Sequence, residues 1–232
     1  MAFQSKTDFY SLSGTSLVCV SGSDGATASV AEATDSEGTI VASTVYGETS
    51  APSNSYVVKG TVSSTTTPVN LGKVTTVGGK SYVLGTFSID TSAGSPATVE
   101  ASGEQVEANA TTNCSYTLPA FSLPVTHHAH ILFDAFSLAG TGCHLQSANY
   151  SATAAITKAT KEGACLAHDV SEGKIEAQIT VNQTGSTEPT LTAGTGWTVT
   201  APLACDNPDA DYPSWTATLT YYLTKDAHTA QS

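Results

Sequence analysis

The sequence predicts an all-β protein made of two tandem β-sandwich or β-barrel domains related by internal duplication. Apolar and polar residues alternate in segments such as KIEAQITV (residues 174–181) and TATLTYYL (residues 216–223), the pattern of half-buried strands. Thr, Val and Tyr are abundant, and clusters of Gly, Pro, Asn, Asp and Ser separate these segments. In addition, the segment DFYSLSGT (residues 8–15) is nearly repeated as DAFSLAGT (residues 134–141), 126 residues later.

The repeat extends well beyond that short segment. Residues 8–34 and 134–160 are identical at 11 of 27 positions without a gap, which indicates an internal duplication. The identical residues of the first copy are Asp8, Ser11, Leu12, Gly14, Thr15, Ser21, Ala26, Thr27, Ala28, Ala33 and Thr34.

A one-residue deletion after Thr160 keeps the two copies in register. It aligns Glu37-Gly38 with Glu162-Gly163, each at the predicted turn between two strands. We therefore expect residues 26–34 and 152–160 to form equivalent strands, and Gly14 and Gly140 to lie in equivalent turns.

These observations divide the chain into a first β domain (residues 1–108), a connecting arm (109–126) and a second β domain (127–232). We expect the arm to be ordered, because it carries four large apolar side chains that can be buried: Tyr116, Leu118, Phe121 and Leu123.

Two local patterns predict structure within the domains. The segment VGGK (residues 77–80) is typical of a hairpin turn. In AHILFDAFSL (residues 129–138), Ile131, Ala135 and Leu138 have helical spacing, which predicts a short helix.

The composition is acidic and lacks arginine. There are 20 acidic and 8 basic residues, all of the latter Lys, and the net charge is −12. Because bidentate recognition of phosphate requires the guanidinium group, tight nucleic-acid binding is disfavoured, while the charge favours solubility. A secretory signal and a long apolar segment are not found, so we expect a protein that remains in a cytoplasm and does not enter a membrane.

The cysteines do not predict a disulfide framework. The chain has five, an odd number, and they lack the C-x-x-C spacing of redox or zinc sites. We expect free thiols at Cys19, Cys114, Cys143, Cys165 and Cys205.

Two clusters have some features of a metal site, but neither predicts one. His128 and His130 would share one face of a strand, with His127 on the other, but two imidazoles are too few for a zinc site. The segment DNPDADYPSW offers Asp206, Asn207, Asp209 and Asp211, yet it lacks the Gly and the closing Glu of an EF-hand, so acidic turn chemistry is the favoured interpretation.

The sequence also lacks a G-x-S-x-G elbow, an H-E-x-x-H pair, a Walker loop and a dinucleotide-binding fingerprint. We therefore predict no enzymatic activity, no catalytic, cofactor-binding or metal-binding residues, and no cofactor.

The tandem β layout, the acidic Arg-free composition and two segments resemble the major tail (tail-tube) proteins of tailed bacteriophages. The segments are SAGSPATVEASGEQVE (residues 92–107) and DNPDADYPSWTATLTYYLTKD (residues 206–226), in which a loop rich in Pro, Asp and Ser leads into an alternating strand. The resemblance implies a virion structural protein, assembled in the host cytoplasm. Its β domains would form rings that stack into a tube through which DNA passes without specific binding, in contact with other tail proteins.

Such proteins typically carry one tube domain per chain and form hexameric rings. Two copies per chain favour a trimer with pseudo-sixfold symmetry, with a hexamer as the alternative. Two other functions stay open: a capsid decoration or tail-fibre protein, and an adhesin-like module that binds carbohydrate. In the adhesin, four aromatic residues would stack on sugars, although core packing is the favoured role for them: Trp197, Trp215, Tyr221 and Tyr222.

Overall fold

The computed structural model describes residues 7–63, 69–106, 116–119, 121–123, 132–133, 136–140, 142–158, 167–183 and 188–223. Within these ranges the secondary structure consists of strands and turns, and it contains no helix. The predicted all-β class is confirmed.

The described strands follow one another in chain order. They are β1 (Leu17–Ser23), β2 (Thr27–Thr34), β3 (Ile40–Thr49), β4 (Ser53–Val58), β5 (Val62–Ser63), β6 (Asn70–Leu71), β7 (Val74–Val77), β8 (Lys80–Ser92), β9 (Thr98–Val106), β10 (Tyr116–Thr117), β11 (Phe121–Leu123), β12 (Leu132–Phe133), β13 (Phe136–Ala139), β14 (Cys143–Lys158), β15 (Ala167–Gln183), β16 (Thr190–Ala193), β17 (Thr198–Cys205) and β18 (Ser214–Tyr222).

One large sheet organises the molecule. Its strand order is β1-β4-β9-β8-β14-β15-β18-β17, and β7 pairs with the beginning of β8. Neighbours in this order are antiparallel, as expected for strands joined by hairpins and longer connections. Strands from both predicted domains therefore belong to a single sheet, joined where β8 pairs with β14.

Four small sheets accompany the large one: β2-β3, β10-β6, β12-β11-β5 and β13-β16. A single parallel bridge between Ala167 and Val106 also connects β15 with β9. Because β8 and β14 separate these two strands in the sheet order, the large sheet must curl at this end.

The core lies along one face of the large sheet, where alternate residues point inward. In β14 and in residues 86–92 of β8 the residues on this face are almost fully buried, whereas Asp90 on the other face of β8 is exposed. This alternation explains why a period of two is visible in the sequence. Residues 81–85 of β8 are buried on both faces. The largest fully buried side chains are Tyr56, Tyr116, Tyr150, Phe87, Leu17, Leu71, Ile89, Ile175, Ile179, Leu219, Val62 and Val83.

The predicted hairpin turn is confirmed. Val77 pairs with Lys80, and the two residues between them, Gly78 and Gly79, have φ values of +60° and +81°. A two-residue turn of this kind requires positive φ at both central positions, which glycine adopts without steric cost.

The predicted short helix is wrong. Leu132–Phe133 and Phe136–Ala139 are strands β12 and β13, which pair with β11 and β16. The helix prediction relied on the spacing of only three apolar residues. Main-chain hydrogen bonding to distant strands outweighs so weak a local preference. In the connecting arm, Tyr116 and Leu118 are buried as predicted, while the side chains of Phe121 and Leu123 lie outside the described residues.

Candidate functional site

The large sheet consists of two four-stranded parts with the same strand order. We name β1-β4-β9-β8 the N-half and β14-β15-β18-β17 the C-half. In each half, the first two positions in the sheet order are taken by the strands that come early in the chain. The third position is taken by the last strand of that half, and the fourth by the strand that precedes this last strand in the chain. The halves meet where β8, the final strand of the N-half, pairs with β14, the first strand of the C-half.

The pairing register of the first two strands recurs between the halves. Leu17 pairs with Val58, and Cys143, 126 residues later, pairs with Gln183, 125 residues later. Both ladders contain an irregularity at the same place, since residue 20 is skipped in β1 and residue 146 in β14. The one-residue difference in spacing equals the deletion that the sequence alignment requires after Thr160.

The remaining ladders recur in part, with a further irregularity between Ala201 and Ala204 in the β17–β18 ladder. Tyr56 pairs with Val99 in the N-half, and the corresponding pair in the C-half is Val181 with Trp215. The β8–β9 ladder skips residue 85, and the β17–β18 ladder skips its counterpart, residue 200. Shared bulges are informative because each bulge inserts one residue at one particular position.

The junction between the halves is a well-packed antiparallel ladder. It contains seven residue pairs, from Ser147 with Ser92 to Thr153 with Thr86. On its inner face Ile89 opposes Tyr150, both with no exposed surface, and the Thr91 hydroxyl donates to the Ala148 carbonyl at 3.1 Å. Burying each large apolar side chain contributes roughly 1.5–3 kcal/mol, so the junction is a strong contact.

The two outer edges of the large sheet are β1 and β17. Within the described residues, each pairs on one side only, with β4 and with β18 respectively. Since β14 is the counterpart of β1 and β8 is the counterpart of β17, these edges correspond to the two strands that pair at the junction. An edge strand presents main-chain donors and acceptors that can pair with another chain.

Each half also carries a hairpin that extends beyond its first two strands. We name β2 and β3 the N-arm, and residues 152–158 and 167–173 the C-arm. The pairing recurs only locally: Val30 pairs with Val45 and Ile156 with Val170, whereas the irregularities on either side lie at different places in the two arms. The N-arm leaves the sheet after Gly25, whose φ is +55°, whereas β14 continues without a break.

The two arms differ in their surroundings. Ile156 of the C-arm packs on β8, where a Cβ atom on Gly85 would lie only 2.5 Å from Ile156 Cδ1. The C-arm also contacts β9 through the bridge between Ala167 and Val106. In the N-arm, by contrast, Val30 is 55% exposed, and Ile40 and Val41 are exposed to a similar extent.

Electrostatic interactions at the N-terminal segment hold it against β4. The Tyr56 hydroxyl donates to Asp8 Oδ1 at 2.6 Å, and the Ser13 and Leu12 amides donate to the same carboxylate. Burial raises the pKa of Asp8, but these hydrogen bonds outweigh it, and the pKa lies below its ordinary value. Burial, followed by the contact with Asp8, raises the pKa of Tyr56. Both groups therefore keep a fixed charge state near neutral pH.

The sequence-predicted candidate residues do not converge on a chemical site. His127, His128 and His130 lie outside the described residues. Asp206 and Asn207 belong to a turn, in which Asn207 Oδ1 accepts from the Ser214 amide at 2.6 Å. Among the described residues no group of three His, Cys, Asp or Glu side chains is placed to hold a metal ion.

The four aromatic residues considered for sugar binding are divided between core and surface. Trp197 is 8% exposed and packs against Tyr221, with ring centroids 5.5 Å apart. Trp215 is partly buried, and its Nε1 atom has no hydrogen-bond partner in the described part of the chain. Of the four, Tyr222 alone is strongly exposed, at 72%.

Three cysteines lie in the described ranges: Cys19, Cys143 and Cys205. Cys143 and Cys205 are free thiols there, and the Cys19 thiol donates a hydrogen bond to the Ser21 carbonyl at 3.2 Å. Cys114 and Cys165 lie outside the described residues.

One cavity of about 470 Å³ lies between the loop at residues 10–16 and β7. Its lining is mainly Ser, Thr and aliphatic residues, and Lys73 is the one charged residue among the described residues that line it. A single lysine without an acidic or basic partner does not form a general acid–base pair.

The features that bear on function are therefore the sheet edges β1 and β17 and the two arms. Single sequence motifs did not indicate them. The only sequence signal for them was the repeat itself. Searches against protein-family models and curated protein sequences found no match to this chain. Among the described residues there is also no helix with the length and hydropathy needed to span a bilayer.

Proposed function

We propose that this chain is a self-assembling structural subunit that forms rings, and that the rings stack into a tube, as in the tail tube of a tailed bacteriophage. One observation carries the proposal: two half-sheets with the same strand order, with matching registers over most of their ladders and with shared bulges at residues 20 and 146 and at residues 85 and 200, are joined edge to edge within the chain. An edge-to-edge junction between two similar half-sheets inside one chain suggests how half-sheets of separate chains would join.

The internal junction predicts which strands would pair between chains. At the internal junction β8 pairs with β14, so between chains β17 would pair with β1 of the next chain. Contacts of this head-to-tail kind close into a ring when the rotation per unit divides a full turn. With two half-sheets per chain, three chains form a ring with pseudo-sixfold symmetry, and six chains form the larger alternative.

The edge of β17 would form a shorter ladder than the internal junction. Pro202 lacks an amide donor, and the β17–β18 register is irregular between Ala201 and Ala204. Proline and bulges are the devices that protect edge strands from uncontrolled pairing. A ring would therefore need additional contact surface beside this edge.

The charge is compatible with a DNA conduit. A chain with a net charge of −12 and no arginine repels phosphate groups weakly over its surface. DNA could pass such a lumen without the tight binding that would stop its movement.

The direct test is the mass of the assembly in solution, followed by electron microscopy of the purified full chain. Rings or tubes whose mass is a multiple of three chains would support the proposal in its trimeric form. Isolated trimers without stacking would favour a capsid decoration protein. A monomer at high concentration would contradict the proposal and favour a fibre or adhesin-like module.

A further inference from the structure

The exposed apolar residues of the N-arm are the feature that the proposed ring does not yet explain. Val30 lies on β2, and Ile40 and Val41 lie at the start of β3; each is more than half exposed. Ile156, the counterpart of Val30 in the C-arm, lies against β8 of the same chain. The surface equivalent to that docking site exists in the C-half, where the described residues leave it uncovered.

We propose that the N-arm of one chain docks on β17 and β18 of a second copy of this chain, just as the C-arm docks on β8 and β9 within the chain. This inference rests on the proposed self-assembly. The N-arm contact would add to the pairing of β17 with β1 of the next chain, just as the C-arm contact adjoins the pairing of β8 with β14 within the chain.

In the C-half, the residues that correspond to the C-arm contacts on β8 and β9 are exposed. Val106, which meets the C-arm, is 2% exposed, whereas its counterpart Tyr222, 116 residues later, is 72% exposed. Gly85 is buried beneath Ile156, whereas its counterpart Thr200 is exposed. A large exposed side chain such as that of Tyr222, at a position whose counterpart is buried against another segment, indicates an interaction surface.

At the contact that corresponds to Ile156 and Gly85, one side chain is smaller and the other is larger. At Gly85 the space of a Cβ atom is taken by Ile156 Cδ1, while Ile156 Cγ1 lies 3.4 Å from the Cβ position. The N-arm has Val30 in place of Ile156 and so lacks the Cδ1 atom, and the C-half has Thr200 in place of Gly85 and so adds a Cβ atom with its hydroxyl and methyl groups. Compared with the pair Ile156–Gly85, the pair Val30–Thr200 thus combines a smaller side chain on the arm with a larger one on the sheet.

The second contact follows from the bridge between β15 and β9. Ala167 is the counterpart of Ala42, 125 residues earlier, so the inference places Ala42 of one chain beside Tyr222 of the next. Ile40 and Val41 adjoin Ala42 in β3, and the larger Tyr222 ring offers them more apolar area than Val106 would.

Disulfide trapping tests this contact between two full-length chains, each with the five native cysteines replaced by serine. One chain carries Ala42→Cys and the other carries Tyr222→Cys, so a mixed dimer can form only between chains. We expect mild oxidation of assembled protein to give at least about tenfold more mixed dimer than the control pair, because proximity raises the effective concentration. The control replaces Tyr222→Cys by Tyr212→Cys, since Tyr212 is also exposed but precedes the opposite end of β18.

A steric exchange provides an independent readout in the full chain. Val30→Ile restores the Cδ1 atom and should collide with Thr200, raising the concentration needed for assembly by about tenfold. The double variant Val30→Ile with Thr200→Gly recreates the Ile156–Gly85 pair and should restore assembly. In urea unfolding of dissociated subunits, Val30→Ile should have no effect, because this side chain is exposed there.

The outcomes separate this inference from the proposed function. Assembly that proceeds without a cross-link between positions 42 and 222 beyond the control, and without sensitivity to Val30→Ile, overturns the arm contact and leaves the ring proposal standing. A chain that stays monomeric at all concentrations overturns both.

Discussion

The hydroxyl of Tyr56 donates a hydrogen bond to the carboxylate of Asp8 across 48 residues of sequence, at a distance of 2.6 Å. This bond attaches the segment that begins the repeat to β4, the second strand of the N-half. It also links stability to pH, because burial raises the pKa of Asp8 and this bond is the largest of the interactions that lower it.

The first prediction concerns this pair. The folded-state pKa of Asp8 is depressed, so its contribution to stability is present above the unfolded-state pKa and is lost as pH falls through the folded-state value. Tyr56→Phe should lower the free energy of unfolding by about 1–3 kcal/mol near neutral pH, and the difference from wild type should shrink at about pH 2. Chemical unfolding at both pH values measures this, with Tyr212→Phe as an exposed control.

The second prediction concerns the contact between the C-arm and β8. Gly85→Ala places a Cβ atom 2.5 Å from Ile156 Cδ1 and should destabilise the chain by about 1–3 kcal/mol. Ile156→Val removes that Cδ1 atom, so the double variant should recover most of the loss. Urea unfolding of the single and double variants gives the coupling energy, and additive effects would contradict close packing at this point.

The third prediction concerns the hairpin between β7 and β8. Gly79→Ala forces an L residue to adopt φ near +81° and should cost about 1–2 kcal/mol. The matched control is Gly14→Ala, because a Cβ atom there meets no neighbour among the described residues and φ at this position is not positive. Thermal unfolding of both variants would compare them, and equal melting temperatures would contradict the expected strain.

The fourth prediction concerns the outer edge of β1. Val18 is 40% exposed on this strand, and lysine at an edge opposes pairing with another chain. Val18→Lys should therefore abolish rings or tubes while it changes the free energy of unfolding of the subunit by no more than about 0.5 kcal/mol. Electron microscopy and urea unfolding measure the two effects. Unaltered tubes would argue that β1 is not an assembly edge.

Several features of this protein were readable from sequence because their causes are local. Alternation of apolar and polar residues predicted strands, since side chains of a strand point to opposite faces in turn. Gly78 and Gly79 predicted their turn because few other residues adopt positive φ at both positions. The 126-residue repeat and its one-residue deletion were also visible, and the pairing registers recur at these same spacings.

Tertiary structure alone decided how those strands are arranged. Main-chain ladders carry no side-chain code that identifies a partner strand, so the sequence did not show that β8 pairs with β14 in one sheet. The same independence explains the wrong helix over residues 129–138, where pairing with distant strands overrides helical spacing. The difference between the arms is also invisible in sequence, because Val30 and Ile156 are chemically alike. Ile156 is covered because β8 lies against it within the chain, whereas the described residues of the chain leave Val30 more than half exposed.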